Sequence, residues 1–357
     1  LPENPQSKVR GYHINSLYAP IGLGYSWADL VRQWLKSAND PDKQRQFVNE
    51  RLALPYEDAK RAVRSDGLIQ RAEDYRLRTA PPGCLLITAG VDTQDDRLAL
   101  QVVGWGRKRR WWVLDWIELQ GDPANDEVWL RLVERLSVPF ANNYGQSIRL
   151  SGVAIDMGGH RTNDVKRFVA GPLAKQLRCT VIAVFGDNNK QHSIISRPKR
   201  TDMTVSGRVL RNGFKYHRVG TEKAKDWLYN DIRHDDDRSM EDRHAHFSTD
   251  LDPNYYEQLT AEIWDNKKNR YVKKRGRRNE ALDTWCYALT AAHHPNVDLP
   301  SKLDAHWAKL EARYESIQVE ATKPTEKAAR EGKTQPAAPA KPRRAQKGRR
   351  MREQLIR

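Results

Sequence analysis

The spacing of apolar residues divides this chain into elements. Ser26-Trp-Ala-Asp29 followed by Leu30, Val31, Trp34 and Leu35 predicts a capped amphipathic helix. Leu85 to Asp92 is a continuous apolar run that closes on an aspartate, the form of a central strand buried on both faces. Leu98 to Trp105 and Trp111 to Leu119 add two strand-like runs around Gly106-Arg-Lys-Arg-Arg110, so the three read as an antiparallel meander with a basic turn. Val128, Leu132 and Leu136 follow at helical spacing behind Asn125-Asp126-Glu127, a cap. Leu150 to Asp156 is a second apolar run ending in aspartate, and Met157-Gly-Gly159 turns the chain after it. A helix is expected from Asn163 through Val165, Phe168 and Leu173, then a strand over Thr180 to Phe185.

Three strands, helix, strand, helix, strand is the order of an α/β RNase H-like core, a mixed sheet flanked by helices. Leu282, Trp285, Cys286 and Leu289 mark a further helix over Asn279 to Ala292 that packs by one face. The tryptophans at 105, 111, 112 and 116 alternate along paired strands and are expected in the core rather than stacked on bases. Residues 188 to 255 are polar; strands around Val205 to Leu210 and a helix around Glu222 to Ile232 would decorate one edge. Residues 60 to 82 are charged, weakly periodic and end in Ala80-Pro-Pro-Gly83, which reads as a connector. The expected division is an N-terminal helical and linker segment over 1–82, the RNase H-like domain over 83–297, and a helical extension with a basic tail over 298–357. Beyond Thr322 the composition cannot repay the entropy of folding, so a disordered tail is expected; residues 323–357 hold 12 Lys or Arg against 3 Glu, a balance of 12 − 3 = +9.

Charge narrows the function classes. A formal net charge of +16 and a pI near 9.7 draw the chain to polyanions, nucleic acid first. The longest apolar stretch, Cys84 to Val91, falls far short of the ~20 residues of a membrane span. Three scattered cysteines, Cys84, Cys179 and Cys286, suit neither a disulfide framework nor a zinc site, and fit a reducing cytoplasm. The opening Leu-Pro-Glu-Asn-Pro has neither an initiator Met nor a signal-like apolar core, so a piece of a longer protein is expected.

Asp92 and Asp156 end adjacent strands in the expected sheet, and Asp283 lies on the helix that crosses it. Any one of them alone reads as a turn former or helix cap. Together they form a set of hard oxygen donors suited to Mg2+ or Mn2+, and a pair of such ions about 4 Å apart would activate water and neutralise charge growing on a phosphodiester. Glu280, one helical turn before Asp283, is a fourth candidate ligand.

Three motifs make the pattern specific: Gly90-Val-Asp92-Thr-Gln-Asp-Asp-Arg97, Val153-Ala-Ile-Asp156-Met-Gly-Gly159 and Asn279-Glu-Ala-Leu-Asp283-Thr-Trp285. They resemble the nuclease motifs of the lambda-type large terminase subunit. Gly11-Tyr-His-Ile-Asn15-Ser-Leu-Tyr18-Ala-Pro20 and Phe47-Val-Asn49-Glu resemble the segment that joins that family's ATPase to its nuclease, so the likeness covers roughly residues 8–295. The resemblance implies a two-metal-ion endonuclease cutting concatemers of double-stranded viral DNA in the host cytoplasm. It also implies a small terminase subunit, a portal and procapsid, and an ATPase domain as partners; the C-terminal end would dock on the portal, with Met351 to Ile356 forming a short helix on contact. No Gly-x-x-x-x-Gly-Lys-Ser/Thr loop occurs, so nuclease activity without ATP turnover is expected of this chain.

Two basic runs are candidates for the DNA backbone near the metals: Arg107 and Lys108 in the meander turn, and Lys273, Lys274, Arg275, Arg277 and Arg278 before the Asp283 helix. His234-Asp-Asp-Asp237 with His244-Ala-His246 lacks a clear third structural metal ligand, and His160 reads as a turn residue. Two other readings remain: a different RNase H-like enzyme, such as a Holliday-junction resolvase or transposase, and a non-catalytic scaffold for DNA and portal.

Overall fold

In a computed structural model, residues 13–322 are described, apart from 21, 38–40, 55–62, 143–144, 188–192, 206, 266–267 and 269. The tail expected beyond Thr322 and the helix expected at Met351 to Ile356 lie outside the described residues.

The strands of the main sheet are β1 Leu86–Thr93, β2 Arg97–Trp105, β3 Trp111–Gln120, β4 Gly152–Asp156, β5 Thr180–Asp187, β6 Lys199–Val205, β7 Arg208–Gly220 and β8 Ala245–His246. They lie in the order β8-β3-β2-β1-β4-β5-β7-β6. The meander is as expected: β2 runs antiparallel to β1 and β3, while β1, β4, β5 and β7 run parallel. Thus β3-β2-β1-β4-β5, with β2 alone reversed, forms the RNase H-like arrangement. All eight residues of β1 are buried, which accounts for its largely apolar character up to Asp92.

The helices are α1 Trp27–Ser37, α2 Pro41–Glu50, α3 Ser65–Gln70, α4 Asp126–Ser137, α5 Thr162–Ala170, α6 Pro172–Lys175, α7 Thr221–His234, α8 Pro253–Leu259, α9 Glu280–Ala292 and α10 Asp304–Thr322, with a separate ribbon of β9 Glu262–Asp265 and β10 Arg270–Lys273. Ser26 caps α1 through its Oγ, which accepts the Asp29 N–H at 3.1 Å. One face of the sheet packs Ile87, Val91, Val153 and Ile155 against Val128, Trp129 and Phe168 of α4 and α5. The other face receives α9, and Trp105, Trp111, Trp227, Leu228 and Tyr255 close over that helix from α7, α8 and the outer strands.

Helix α9 lies directly on β1 because β1 offers it a glycine. A Cβ at Gly90 would stand 1.9 Å from the Thr284 carbonyl oxygen and 2.6 Å from the Ala288 nitrogen. Both are backbone atoms, so no rotamer change relieves the clash. Gly90→Ala is expected to cost about 3 kcal/mol, the upper end for overpacking. In a thermal melt this means a fall of roughly 6 °C or more; a midpoint within a degree of wild type would show that α9 has room to lift.

Three details refine the sequence pattern. The strands expected around Val205 to Leu210 form a hairpin: Arg208 pairs back onto Val205, and Gly207 beside the turn has a positive φ of 76° that side chains disfavour. The helix expected to run through Leu173 stops at Ala170, since Gly171 has extended backbone and Pro172 supplies no N–H to continue it. The stretch read as a connector is tied down, with Leu68 of α3 in the apolar core and Arg71 donating to the Ile232 carbonyl at 2.9 Å.

Candidate active site

Two parallel strands and one helix assemble the site. Along β1 the Thr88 hydroxyl donates to the Ala288 carbonyl at 2.7 Å and Gly90 lies under Thr284, so the alternate residues Thr88, Gly90 and Asp92 face α9. Along β4, Ala154 packs with Tyr287 and Ala291, which puts Asp156 on the same side. Val91 pairs with Ile155, so the next position on each strand brings Asp92 beside Asp156. The first turn of α9 carries Asp283 to this end of the sheet, and Tyr287 follows one turn later.

These carboxylates sit where their charges are costly. Asp92 is 6% exposed and Asp156 9%. Burial, then repulsion from Asp156, pushes Asp92 up to about 7. Burial also pushes Asp156 up to about 6, against the Gly158 N–H and with Asp283 adding repulsion. Asp283 is pushed up to about 7 by burial and by Asp92 and Glu262, although Lys225 and Lys273 oppose the shift. Each aspartate therefore feels the negative charge of another.

Each is also held by a neutral donor. Gln94 Nε2 donates to Asp92 at 2.6 Å and Asn279 Nδ2 to Asp283 at 2.8 Å, while Asp156 accepts from the Tyr287 hydroxyl and from the Met157 and Gly158 N–H groups. Among the described residues, no three His, Cys, Asp or Glu side chains are already gathered as ligands around one point. The donor chemistry nonetheless fits a hard divalent ion: three carboxylates near one another, kept from full ionisation by burial and mutual repulsion. Glu280 stands near enough to raise Asp92, but its oxygens are engaged by Arg97 at 2.9 Å and Arg278 at 2.7 Å.

A closed ring of contacts fixes Asp283. Lys225 Nζ, buried, donates to both Glu262 oxygens at 2.9 and 2.8 Å and stands 3.9 Å from Asp283 Oδ1. Asn279 Nδ2 joins the other side by donating to Glu262 at 3.0 Å as well as to Asp283. Burial works to lower the Lys225 pKa, yet Asp283 and Glu262 outweigh it and the ammonium is held charged.

The two basic runs separate. Lys273 donates to Asn279 at 3.3 Å and its charge reaches Asp283, so the second run borders the site, although Arg277 and Arg278 are ion-paired to Glu257, Glu118 and Glu280. The expectation that Arg107 and Lys108 also lie near the carboxylates is corrected. Trp105 pairs with Leu86, so the turn after β2 lies at the start of β1, six residues or roughly 20 Å from Asp92. Arg107 there ion-pairs with Glu311 at 2.7 Å.

The His and Asp group of residues 234–246 is structural. Asp235 accepts the His244 and Ala245 N–H groups, each at 2.8 Å, and His246 meets Glu73 at 2.8 Å, which ties β8 to α7 and to the segment before β1. His160 is 89% exposed, 3.7 Å from Asp95. Trp105, Trp111 and Trp112 are buried, as their alternation predicts.

The sequence pattern missed Lys225, Glu262, Gln94 and Tyr287. Tyr287 was in view, four residues after Asp283 on one helix face. Lys225 and Glu262 carry no local signal, because they meet Asp283 only through the fold.

Comparison with known proteins identifies a family. The family model described as "Terminase large subunit gpA, endonuclease domain" matches residues 9–307. The large terminase subunit of Escherichia phage lambda is 28% identical over 300 residues, 78% of this chain and 43% of that protein. The large terminase subunit of Enterobacteria phage P21 is 26% identical over 313 residues, 81% of this chain and 44% of that protein. The chain thus spans less than half the length of these relatives. Among solved structures, the large terminase nuclease from thermophilic phage G20c matches with a TM-score of 0.29 at 11% identity, covering 57% of this chain and 81% of that one.

Proposed function

The chain belongs to the family of the terminase large subunit gpA endonuclease domain, and on that premise we propose that it is a divalent-metal-dependent endonuclease that cuts double-stranded viral DNA concatemers during genome packaging. The observation that carries this reading is the side-by-side register of Asp92 and Asp156 on one sheet face, with Asp283 brought to the same end by α9. Asp92, Asp156 and Asp283 are the residues that would hold Mg2+ or Mn2+. Such ions, two in the full reading, supply an activated water and neutralise the charge that grows on the phosphate.

The chain's own groups prepare the site. Gln94, Tyr287 and Asn279 fix one oxygen each of Asp92, Asp156 and Asp283, which limits the reorientation needed to bind an ion. Glu280 lies outside that set, its two oxygens held by Arg97 and Arg278. Lys273 offers a cation to the phosphate backbone next to Asp283. The partners belonging to this reading are the duplex, a small terminase subunit, a portal and procapsid, and an ATPase domain, with the host cytoplasm as the setting. No helix among the described residues is long and apolar enough to cross a membrane.

Supercoiled plasmid is the cheap substrate. Nicking or linearisation with Mg2+ or Mn2+, and none in EDTA, is the expected result. Metal-independent DNA binding without any cleavage would replace this reading by a scaffold, and strong preference for four-way junctions by a resolvase-like enzyme.

A further inference from the structure

The edge hairpin β6–β7 carries charge for which the site described above gives no account. From residue 197 to 218 the chain holds seven Lys or Arg against one acid, Asp202. Arg218 is paired with Asp187 at 2.6 Å, and among the described residues the Arg200 side chain donates only to the Asn212 carbonyl at 3.2 Å. The Lys215 side chain is exposed and has no ion pair or hydrogen bond among the described residues.

The register makes this more than a solvated charge run. Lys215 stands directly opposite Arg200 on the antiparallel pair, so both side chains leave the same face. Like charges in that position destabilise a sheet. Asp202, two residues along β6, is the one acid on the hairpin; its carboxylate accepts the Asn212 N–H at 2.8 Å and forms no ion pair within 4 Å with either cation.

The face is also the one that carries the aspartates. Asp156 pairs with Val184, and Val184 with His217, so these three lie in one row across β4, β5 and β7. Lys215 is two residues back from His217, hence on the same side. Two strand spacings sideways and two residues along place Lys215 about 12 Å from Asp156, with Arg200 one strand further out. That offset is close to the width of a B-DNA major groove, about 12 Å.

We propose that the Arg200–Lys215 face of the edge hairpin binds the phosphate backbone of the duplex that flanks the bond being cut. A polyanion lying there turns the like-charge pair from a cost in the free protein into two contacts in the complex. The inference rests on the nuclease reading for what the duplex is doing there, but the binding it asserts needs no metal and no cleavage.

The test measures fluorescence anisotropy of a labelled duplex of about 30 base pairs with the whole chain in EDTA, from 50 to 200 mM KCl. Against wild type, Arg200→Thr/Lys215→Thr should bind about tenfold more weakly at the middle of that range, and the slope of log K against log salt should flatten by about 2. The same variant should melt no lower than wild type, since Thr suits a strand and the repulsion is gone. Lys215→Glu is the second variant. It creates an opposite-charge pair with Arg200, so it should fold at least as well and yet bind DNA less tightly than wild type. Unchanged affinity and slope in both variants would overturn the proposal. Failure of wild type to cleave plasmid, with the binding differences intact, would overturn the nuclease reading and leave this surface standing.

Discussion

Asp92→Asn or Asp156→Asn is expected to reduce cleavage at least a thousandfold, on the order of what losing an essential charged catalytic group costs, while making the metal-free protein more stable at pH 8. The second half follows from proton linkage. In the unfolded chain these carboxyls titrate near 3.8; in the fold, burial first and neighbouring carboxylates second hold them up to about 7 and about 6. The folded state therefore keeps its protons over a window where the unfolded state has lost them. Below about pH 3 both states are protonated and the groups contribute nothing. As pH rises from 4 through 7 the folded state loses stability, and the full penalty, on the order of a few kcal/mol, is present above 7. Asparagine keeps the shape and removes the charge, so the variant should melt higher than wild type at pH 8 in EDTA and about equally at pH 4.

A divalent ion should show the complementary pattern. Mn2+ should raise the wild-type midpoint more at pH 8 than at pH 5.5, where it must displace protons, and should do little for Asp92→Asn. If the variant melts below wild type at pH 8 without metal, or if Mn2+ stabilises both alike, the aspartates are not a strained set awaiting a cation.

How much of this was legible depends on how local each signal is. β1 and β4 are buried on both faces, so their apolar runs stand out and their terminal aspartates with them. Asp283 stands out because α9 repeats its apolar residues at helical spacing. Register then did what composition cannot: it brought Asp92 beside Asp156 and sent the basic turn of Arg107 to the far end of the sheet. That second consequence follows from the antiparallel meander, since a turn after a returning strand must lie where the first strand began. The hairpin was harder, because β6 and β7 have few buried positions and alternation there reports only exposure. Lys225 and Glu262 stood out least, being 37 positions apart and joined by a buried ion pair that no spacing rule encodes.

That pair yields the second large effect. Lys225→Met is expected to destabilise the protein by about 3–5 kcal/mol, because it leaves Glu262 buried without its cation and strips Asp283 of the nearest positive charge. In a domain of this size such a loss lowers the melting midpoint by roughly 10 °C. Met has nearly the volume and reach of the lysine stem, so the loss reports the charge and not a cavity. The double variant Lys225→Met/Glu262→Gln should recover at least half of that cost, since the uncompensated carboxylate is then gone and the amide oxygen that replaces it can still accept from Asn279. Mn2+ should also restore part of the lost stability in Lys225→Met, because an ion among the aspartates takes over the neutralisation that the ammonium supplied. Urea unfolding of the four proteins in the cycle measures the coupling directly. A Lys225→Met penalty below about 1 kcal/mol, or a double variant no better than the single one, would mean that the ammonium is an exposed surface charge in practice and that Asp283 owes its position to Asn279 alone.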